Sequence, residues 1–385
     1  MTARFWSLLG VLAALLAVGL STGGQVYYFL FFAFVMVLLL SVASVLWTLF
    51  TVRVEMKGLR PRVERGDRLM TIFTVRHTSL LPVSAIRIVL CAPSAYSGTQ
   101  EISVATPPYR KKTFRYLIAC PHRGSYEVGI ARFRCQDLFG LFSISRKSGQ
   151  RLLRVDVAPK VHAVETLELK TQDMGPELRS RASEDTASPS DIRKWQEGDV
   201  LKKVHWKLTM RKRELMVRTY EESSRPDTLI VPDLSEIAAL SDQALSIEDA
   251  ICEEALSHAK AQLEAGYPVR MPLLAAHPAE IAGQFPQDLP MFLDALMRVK
   301  FDSPYAYEQV QMQMLRRITR TGGCVLVSCK FTTRIADMAL KLARSGVKVK
   351  LIWITDSARE DALEMVERLK MENILVSLRN PWSDE

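Results

Sequence analysis

The stretch CVLVSCKFTTRIADMALKLARSGVKVKLIWI, residues 324–354, decides the fold. Cys324 to Ser328 is a short apolar run of strand length. Thr333 to Ser345 reads as a helix stopped by Gly346, and Val347 to Ile354 is a second apolar strand. Continuous apolar runs separated by a helix describe strands of a mostly parallel sheet, buried on both faces. The same alternation extends outward. Leu229-Ile230-Val231 is a short strand. Ile247 to Glu264 is helical, with Ile247, Ile251, Ala255, Ala259 and Leu263 recurring every fourth residue. Ser246 with Asp249 suggests its capping box, and Gly266 its stop. Val269 to Leu274 follows as a strand, and Tyr307 to Arg320 as a helix ended by Gly322-Gly323. Ser357-Ala358-Arg359-Glu360 opens a last helix, and Ile374 to Leu378 closes the series. Residues 228–385 are therefore expected to form a doubly wound α/β domain.

Residues 53–160 have another rhythm. Short alternating runs (Phe73 to Val75, Val83 to Leu90, Phe114 to Ala119, Tyr126 to Arg134, Leu152 to Val157) are broken by Pro, Gly and Ser. Many short strands with frequent turn signals predict a small antiparallel β-sandwich. Between the two regions, 161–227 reads as a linker and motif segment. Residues 171–191 of it are polar and nearly free of large apolar side chains.

The N-terminal end is apolar. No charged residue falls between Arg4 and Arg53. Phe5 to Leu20 and Val26 to Phe50 flank Ser21-Thr22-Gly23-Gly24-Gln25, so residues 1–52 read as a transmembrane helical hairpin. A cleaved signal peptide at residues 1–20 is the alternative, and its small-residue cleavage pattern is poor. Lys and Arg follow the second span and are absent from the short connection. The positive-inside rule then places both termini in the cytoplasm, at the cytoplasmic (inner) membrane.

The chain of 385 residues is 48% apolar and 24% charged, close to globular averages. Its net charge of +9 divides into +15 over residues 1–225 and −6 over 226–385. The basic half is the membrane-proximal one, so the overall charge does not argue for nucleic acid. Six cysteines are too few for a disulfide scaffold. Cys120-Pro121-His122 lacks the second pair a zinc site needs. No Gly-rich phosphate loop follows a strand and no Gly-x-Ser-x-Gly elbow occurs, so neither nucleotide binding nor that hydrolase chemistry is indicated.

One segment stands out. Arg193 to Arg225 holds ten Lys and Arg against five Asp and Glu, with Trp195, His205 and Trp206 interleaved. Three readings compete. It could stack and neutralise single-stranded nucleic acid. It could lie on anionic lipid beside the membrane anchor. Or its tryptophans are core and its charges pair with Glu197, Asp199 and neighbouring carboxylates. On the last reading Trp206 packs in the core and Gly198 serves a tight turn. An exposed basic stripe would favour lipid or nucleic acid, and burial of both tryptophans would count against them.

The order of motifs resembles a bacterial family known as domain of unknown function 58. A membrane hairpin comes first, then Arg123-Gly124-Ser125-Tyr126-Glu127-Val128-Gly129 and Asp137-Leu138-Phe139-Gly140-Leu141-Phe142. Trp195-Gln196-Glu197-Gly198-Asp199, Val204-His205-Trp206-Lys207 and Leu215-Met216-Val217-Arg218 follow. Leu138 departs from the family's proline. The resemblance implies a von Willebrand factor A-like α/β domain and a MoxR-type AAA+ ATPase as partner. It also implies a contact motif here of Arg193, Trp195, Gly198, Asp199, His205, Trp206 and Lys207. Such domains can hold Mg²⁺ with an Asp-x-Ser-x-Ser loop. Here Asp233 and Ser235 match, Ile237 stands at the third ligand, and Lys330 lies where a further Asp would be favoured. The metal site is expected to be degenerate, with Asp233 instead capping a helix N-terminus. The expected function is a non-enzymatic, membrane-anchored interaction protein. The alternatives are a hydrolase using His205 with Asp199, and a lipid- or nucleic-acid-binding anchor.

Overall fold

A computed structural model describes residues 3–58, 60–78, 86–93, 99–105, 110–137, 141–169, 191–195, 206–212, 214–219, 226–315, 321–357 and 360–382. The chain divides into two compact units, Met1–Ala158 and Pro159–Glu385.

The first unit opens with two helices, α1 (Ala3–Thr22) and α2 (Gln25–Thr51). Both are long and apolar enough to cross a membrane. Gly23 turns the chain between them at φ +63°, a conformation that suits glycine. The last turns of α2 are not free for lipid. Ser41, Val45, Thr48 and Leu49 are buried against the β region that follows.

That region comprises β1 (Val52–Lys57), β2 (Arg62–Glu64), β3 (Arg68–His77), β4 (Ile86–Cys91), β5 (Thr99–Val104), β6 (Lys111–Ala119), β7 (Gly124–Gln136), β8 (Ser143–Lys147) and β9 (Leu153–Ala158). They form one sheet of order β1-β3-β6 and another of order β2-β9-β7-β4-β5, with β8 beside β7. Every pair is antiparallel except β2 with β9. Strict alternation along β3 sends Leu69, Phe73 and Val75 inward, where Ile88, Leu90 and Ile130 meet the latter two.

The second unit contains a small antiparallel pair, β10 (Asp191–Lys194) with β11 (Met216–Thr219), and α3 (Trp206–Lys212). Its main sheet is built from β12 (Asp227–Pro232), β13 (Val269–Leu273), β14 (Ala279–Gly283), β15 (Thr321–Ser328), β16 (Lys348–Ile354) and β17 (Leu375–Arg379). The order is β14-β13-β12-β15-β16-β17, parallel throughout except the edge strand β14. Its helices are α4 (Ser241–Glu264), α5 (Leu289–Arg298), α6 (Tyr307–Leu315), α7 (Thr333–Arg344) and α8 (Glu360–Met371). Successive strand residues face opposite layers. Ile230, Val325, Val327 and Ile352 pack with α4 and α5. Leu229, Val231, Leu326 and Leu351 pack with α6, α7 and α8. This is why the runs read as continuously apolar.

Several boundaries differ from the sequence reading. Helix α4 starts at Ser241, and the Ser246 hydroxyl bonds back to the Asp242 carbonyl inside it rather than capping an end. Gly322 and Gly323 lie inside β15, and residues 316–320, where the preceding helix was expected to end, lie outside the described residues. A Cβ at Gly322 would sit 2.5 Å from Pro226 Cβ, and one at Gly323 would sit 2.7 Å from Leu167 and Leu169. Residues 161–169, expected in the linker, pack on this unit, with Leu167 and Leu169 buried in its core.

Candidate functional site

In an open parallel sheet, ligand crevices lie beyond the strand carboxyl ends where the strand order reverses. Here that point falls between β12 and β15. Asp233 follows β12 immediately, Ser328 ends β15, and Lys330 lies two residues further on. Asp233 is only 1% exposed. Its Oδ1 accepts from Ser235 N at 3.0 Å and Ser235 Oγ at 2.6 Å, and its Oδ2 accepts from Ser328 Oγ at 2.6 Å. Three donors satisfy a carboxylate that burial would otherwise penalise. The Lys330 ammonium donates to Ser235 Oγ at 2.7 Å and to the Glu236 carbonyl at 3.3 Å.

The loop that carries Lys330 is held from below. Trp353 Nε1 donates to the Cys329 carbonyl at 3.2 Å, and Phe331 stacks on Trp353 at 4.9 Å. Thr332 then caps α7 by accepting from Ile335 N. Tyr307 donates to the Val231 carbonyl at 2.6 Å, and burial followed by the Asp233 charge pushes its phenol well above its usual range. Burial, with Asp233 beside it, pushes Cys329 up to about 11, so the residue is a neutral thiol at neutral pH and a poor nucleophile.

These residues do not fit Mg²⁺. That ion demands hard oxygen ligands in near-octahedral array. The sole carboxylate of the crevice network has both oxygens engaged, and the Ser235 hydroxyl carries an ammonium. Ile237 packs against the core where a third hydroxyl would stand. Among the described residues, no group of three His, Cys, Asp or Glu side chains could hold a metal. Asp233 does not cap a helix either. The next helix begins at Ser241, and the carboxylate closes a turn onto Ser235 instead.

A second polar cluster lies between residues 159–169, α4 and β17. Lys160 N donates to Glu253 Oε1 and His162 N to Ser257 Oγ, both at 3.1 Å. The Arg379 guanidinium lies against the His162 ring and bridges Glu254 Oε1 at 2.7 Å and Glu253 Oε2 at 3.3 Å. Burial pushes Glu254 up, but hydrogen bonds from His162 and Arg379 outweigh it and hold the carboxyl at about 2. Burial, then the Lys350 charge, pushes His258 down to about 4. A 370 Å³ pocket is lined by His162, Glu254, His258, Lys350 and Arg379. Its charges compensate one another, so it serves to tie the 159–169 segment down. The sequence reading missed it; the signal was Glu253-Glu254 and His258 set among the apolar positions Ile251, Ala255, Leu256 and Ala259 of that helix.

The motif segment is only partly visible. Arg193 lies in β10, opposite Val217. Trp195 is half-buried, and its N–H donates to the Leu215 carbonyl at 2.9 Å. Lys194 pairs with Glu214 at 2.7 Å. Trp206 opens α3 and Lys207 follows it, exposed. Trp206 is not core: it is 61% exposed, because no side chain of this short helix is buried. Gly198, Asp199 and His205 lie outside the described residues, and with them the His205–Asp199 pair of the hydrolase alternative.

The other motif of the resemblance acts in the first unit. Asp137 Oδ2 accepts from Ser41 Oγ of α2 at 2.5 Å, and its Oδ1 accepts from Phe142 N at 2.8 Å. Arg146 donates to the Leu49 carbonyl at 2.7 Å. This motif therefore fastens the β region to the end of the second apolar helix.

Residues 191–374 match a family model described as Protein of unknown function DUF58. The uncharacterized protein YeaD of Bacillus subtilis (strain 168) is 23% identical over 239 residues, covering 57% of this chain and 57% of that protein. The chain thus spans little more than half the length of that curated relative. Among solved structures, Cwp6 from Clostridium difficile is 9% identical with a TM-score of 0.21, covering 86% of this chain and 46% of that one. A GH20 exo-β-N-acetylglucosaminidase from Vibrio harveyi is 10% identical with a TM-score of 0.20, covering 83% and 60%. Likenesses at those scores carry no argument. The matched segment contains β10, α3, β11 and the crevice of Asp233, Ser235, Ser328 and Lys330. The similarity to the family described as Protein of unknown function DUF58 therefore rests on residues 191–374, a little under half of the chain.

Proposed function

We propose that the chain is a non-enzymatic, membrane-anchored interaction protein whose α/β unit engages a protein partner at the inner face of the cytoplasmic membrane. The observation that carries this is the ammonium of Lys330, hydrogen-bonded to Ser235 in the crevice where a von Willebrand A-like domain would hold its ion. A fixed ammonium has no Lewis-acid role, yet it presents positive charge to a partner's acidic side chain. The strand order, with its antiparallel edge, supports the von Willebrand A-like reading. The two apolar helices support anchoring, and the run of Lys and Arg after residue 52 favours cytoplasmic termini. The partner favoured by the family resemblance is a MoxR-type AAA+ ATPase.

The test is a crosslinking pull-down from native membranes with EDTA present. Wild type is compared with Lys330→Glu at the crevice and with a His205→Ala, Lys207→Ala double variant at the motif. Recovery of an AAA+ ATPase from wild type, lost from the Lys330 variant, supports the reading and places the contact. Equal recovery from all three makes both regions structural. Absence of any protein partner overturns the proposal.

A further inference from the structure

The helix Trp206–Lys212 has no buried side chain, although it carries a tryptophan and a methionine. Trp206 is 61% exposed and Met210 80%. They stand four residues apart, so they share one face of the helix. Lys207 and Arg211, one residue along, form the adjoining face, and Lys212 follows; all three are exposed. In the sequence, Lys202 to Arg213 holds six basic residues and no acidic one. The helix is fixed from behind. The Met216 N–H donates to Thr209 Oγ1 at 3.0 Å, and β11 pairs with β10. An apolar stripe beside a basic stripe, displayed outward on a fixed element, is the chemistry of a surface that rests on anionic headgroups. The aromatic ring and the thioether enter the interfacial layer while the cations face phosphate.

We propose that the face of Trp206, Lys207, Met210, Arg211 and Lys212 docks on the anionic lipid surface of the membrane in which the chain is anchored. This rests on the membrane-anchored reading of the two N-terminal helices. Charge complementarity selects the occupant: every charged side chain of the patch is a cation, and the chain's own apolar helices tether it near a bilayer. Single-stranded nucleic acid is disfavoured, since a lone tryptophan gives one stacking platform where such grooves use several. Three cations near an anionic surface shift the docked-to-undocked ratio by roughly a hundredfold, and salt weakens that preference.

The full chain is reconstituted into vesicles of phosphatidylcholine alone, or of an equal mixture with phosphatidylglycerol, each carrying brominated acyl chains. Flotation with the vesicles reports anchoring. The emission of Trp206 is obtained by difference from a Trp206→Phe variant. Docking predicts that it shifts to the blue and is quenched in the anionic vesicles, and that added salt relieves the quenching. A Lys207→Gln, Arg211→Gln, Lys212→Gln variant keeps its melting temperature but loses the quenching. Protein that floats while Trp206 stays water-exposed in both lipids overturns the docking and leaves the anchor standing. Protein that does not float overturns both. Quenching equal in the two lipids and indifferent to salt refutes the electrostatic recognition. Burial of Trp206 only on adding an oligonucleotide, or only on adding a protein partner, refutes the lipid assignment.

Discussion

Replacing Arg379 by Met tests how the 159–169 segment is held. The substitution keeps apolar bulk and removes the guanidinium that bridges Glu253 and Glu254, whose side chains are 0% and 8% exposed. Two adjacent buried carboxylates would then lose the guanidinium that bridges them. Removing one partner of a buried ion pair costs about 3–5 kcal/mol, a large share of the roughly 5–15 kcal/mol that stabilises a domain. The effect has a pH signature. Glu254 sits at about 2 in the folded protein against an ordinary 4.5. A depressed carboxyl contributes stability that is complete above the ordinary value and is lost as pH falls towards the folded one. In wild type that contribution, on the order of 3 kcal/mol, disappears between pH 4.5 and pH 2. In Arg379→Met the carboxylates are relieved by protonation, so the gap between variant and wild type narrows on acidification. Urea melts at several pH values give the gap. Hydrogen exchange at the amides of Lys160 and His162, which bond to Glu253 and Ser257, gives the local opening. A variant within about 0.5 kcal/mol of wild type at neutral pH, with those amides still protected, would refute the reasoning.

Three other perturbations have defined outcomes. Gly322→Ala drives a Cβ to 2.5 Å from the ring of Pro226, and should lower stability by roughly 1–3 kcal/mol in a denaturant melt. His258, held at about 4 against an ordinary 6.5, binds its proton more readily when unfolded, so it should withdraw up to about 3 kcal/mol of stability as pH falls from 6.5 to 4; His258→Gln should flatten that part of the profile. Asp137→Ala orphans the buried Ser41 hydroxyl and the Phe142 N–H, and a loss of roughly 2–4 kcal/mol should appear as faster exchange at the Phe142 amide.

The parallel sheet was legible because its strands are buried on two faces. Val325-Leu326-Val327 and Leu351-Ile352-Trp353 carry no polar interruption, and Gly266 and Gly346 mark helix ends at φ +79° and +87°. Gly322-Gly323 misled because glycine has two uses. Here it admits the side chains of Pro226, Leu167 and Leu169 beside a strand, a packing fact invisible to local pattern. The short strand Ala279–Gly283 escaped notice for want of apolar alternation, since it sits at the sheet edge and is mostly exposed. At the crevice, Asp233, Ser235 and Lys330 could be named from spacing. Their mutual arrangement could not, because Ser328 and Lys330 reach Asp233 and Ser235 only through the pairing of β15 with β12. The ion network of His162, Glu254 and Arg379 joins residues as much as 217 positions apart, beyond any motif. Trp206 was expected inside because large aromatics usually are; the inner face of its short helix is that of the half-buried Leu208 and Thr209, and Trp206 stands off it.

The functional reading turns on whether the Lys330 ammonium takes the cation's place. Calorimetric titration of Mg²⁺ into the full chain, beside the same titration into Lys330→Ala and Asp233→Ala variants, tests this most directly. The account predicts no saturable heat with wild type and a melting temperature indifferent to Mg²⁺ or EDTA. One-site saturable binding to wild type, abolished by Asp233→Ala, would contradict it.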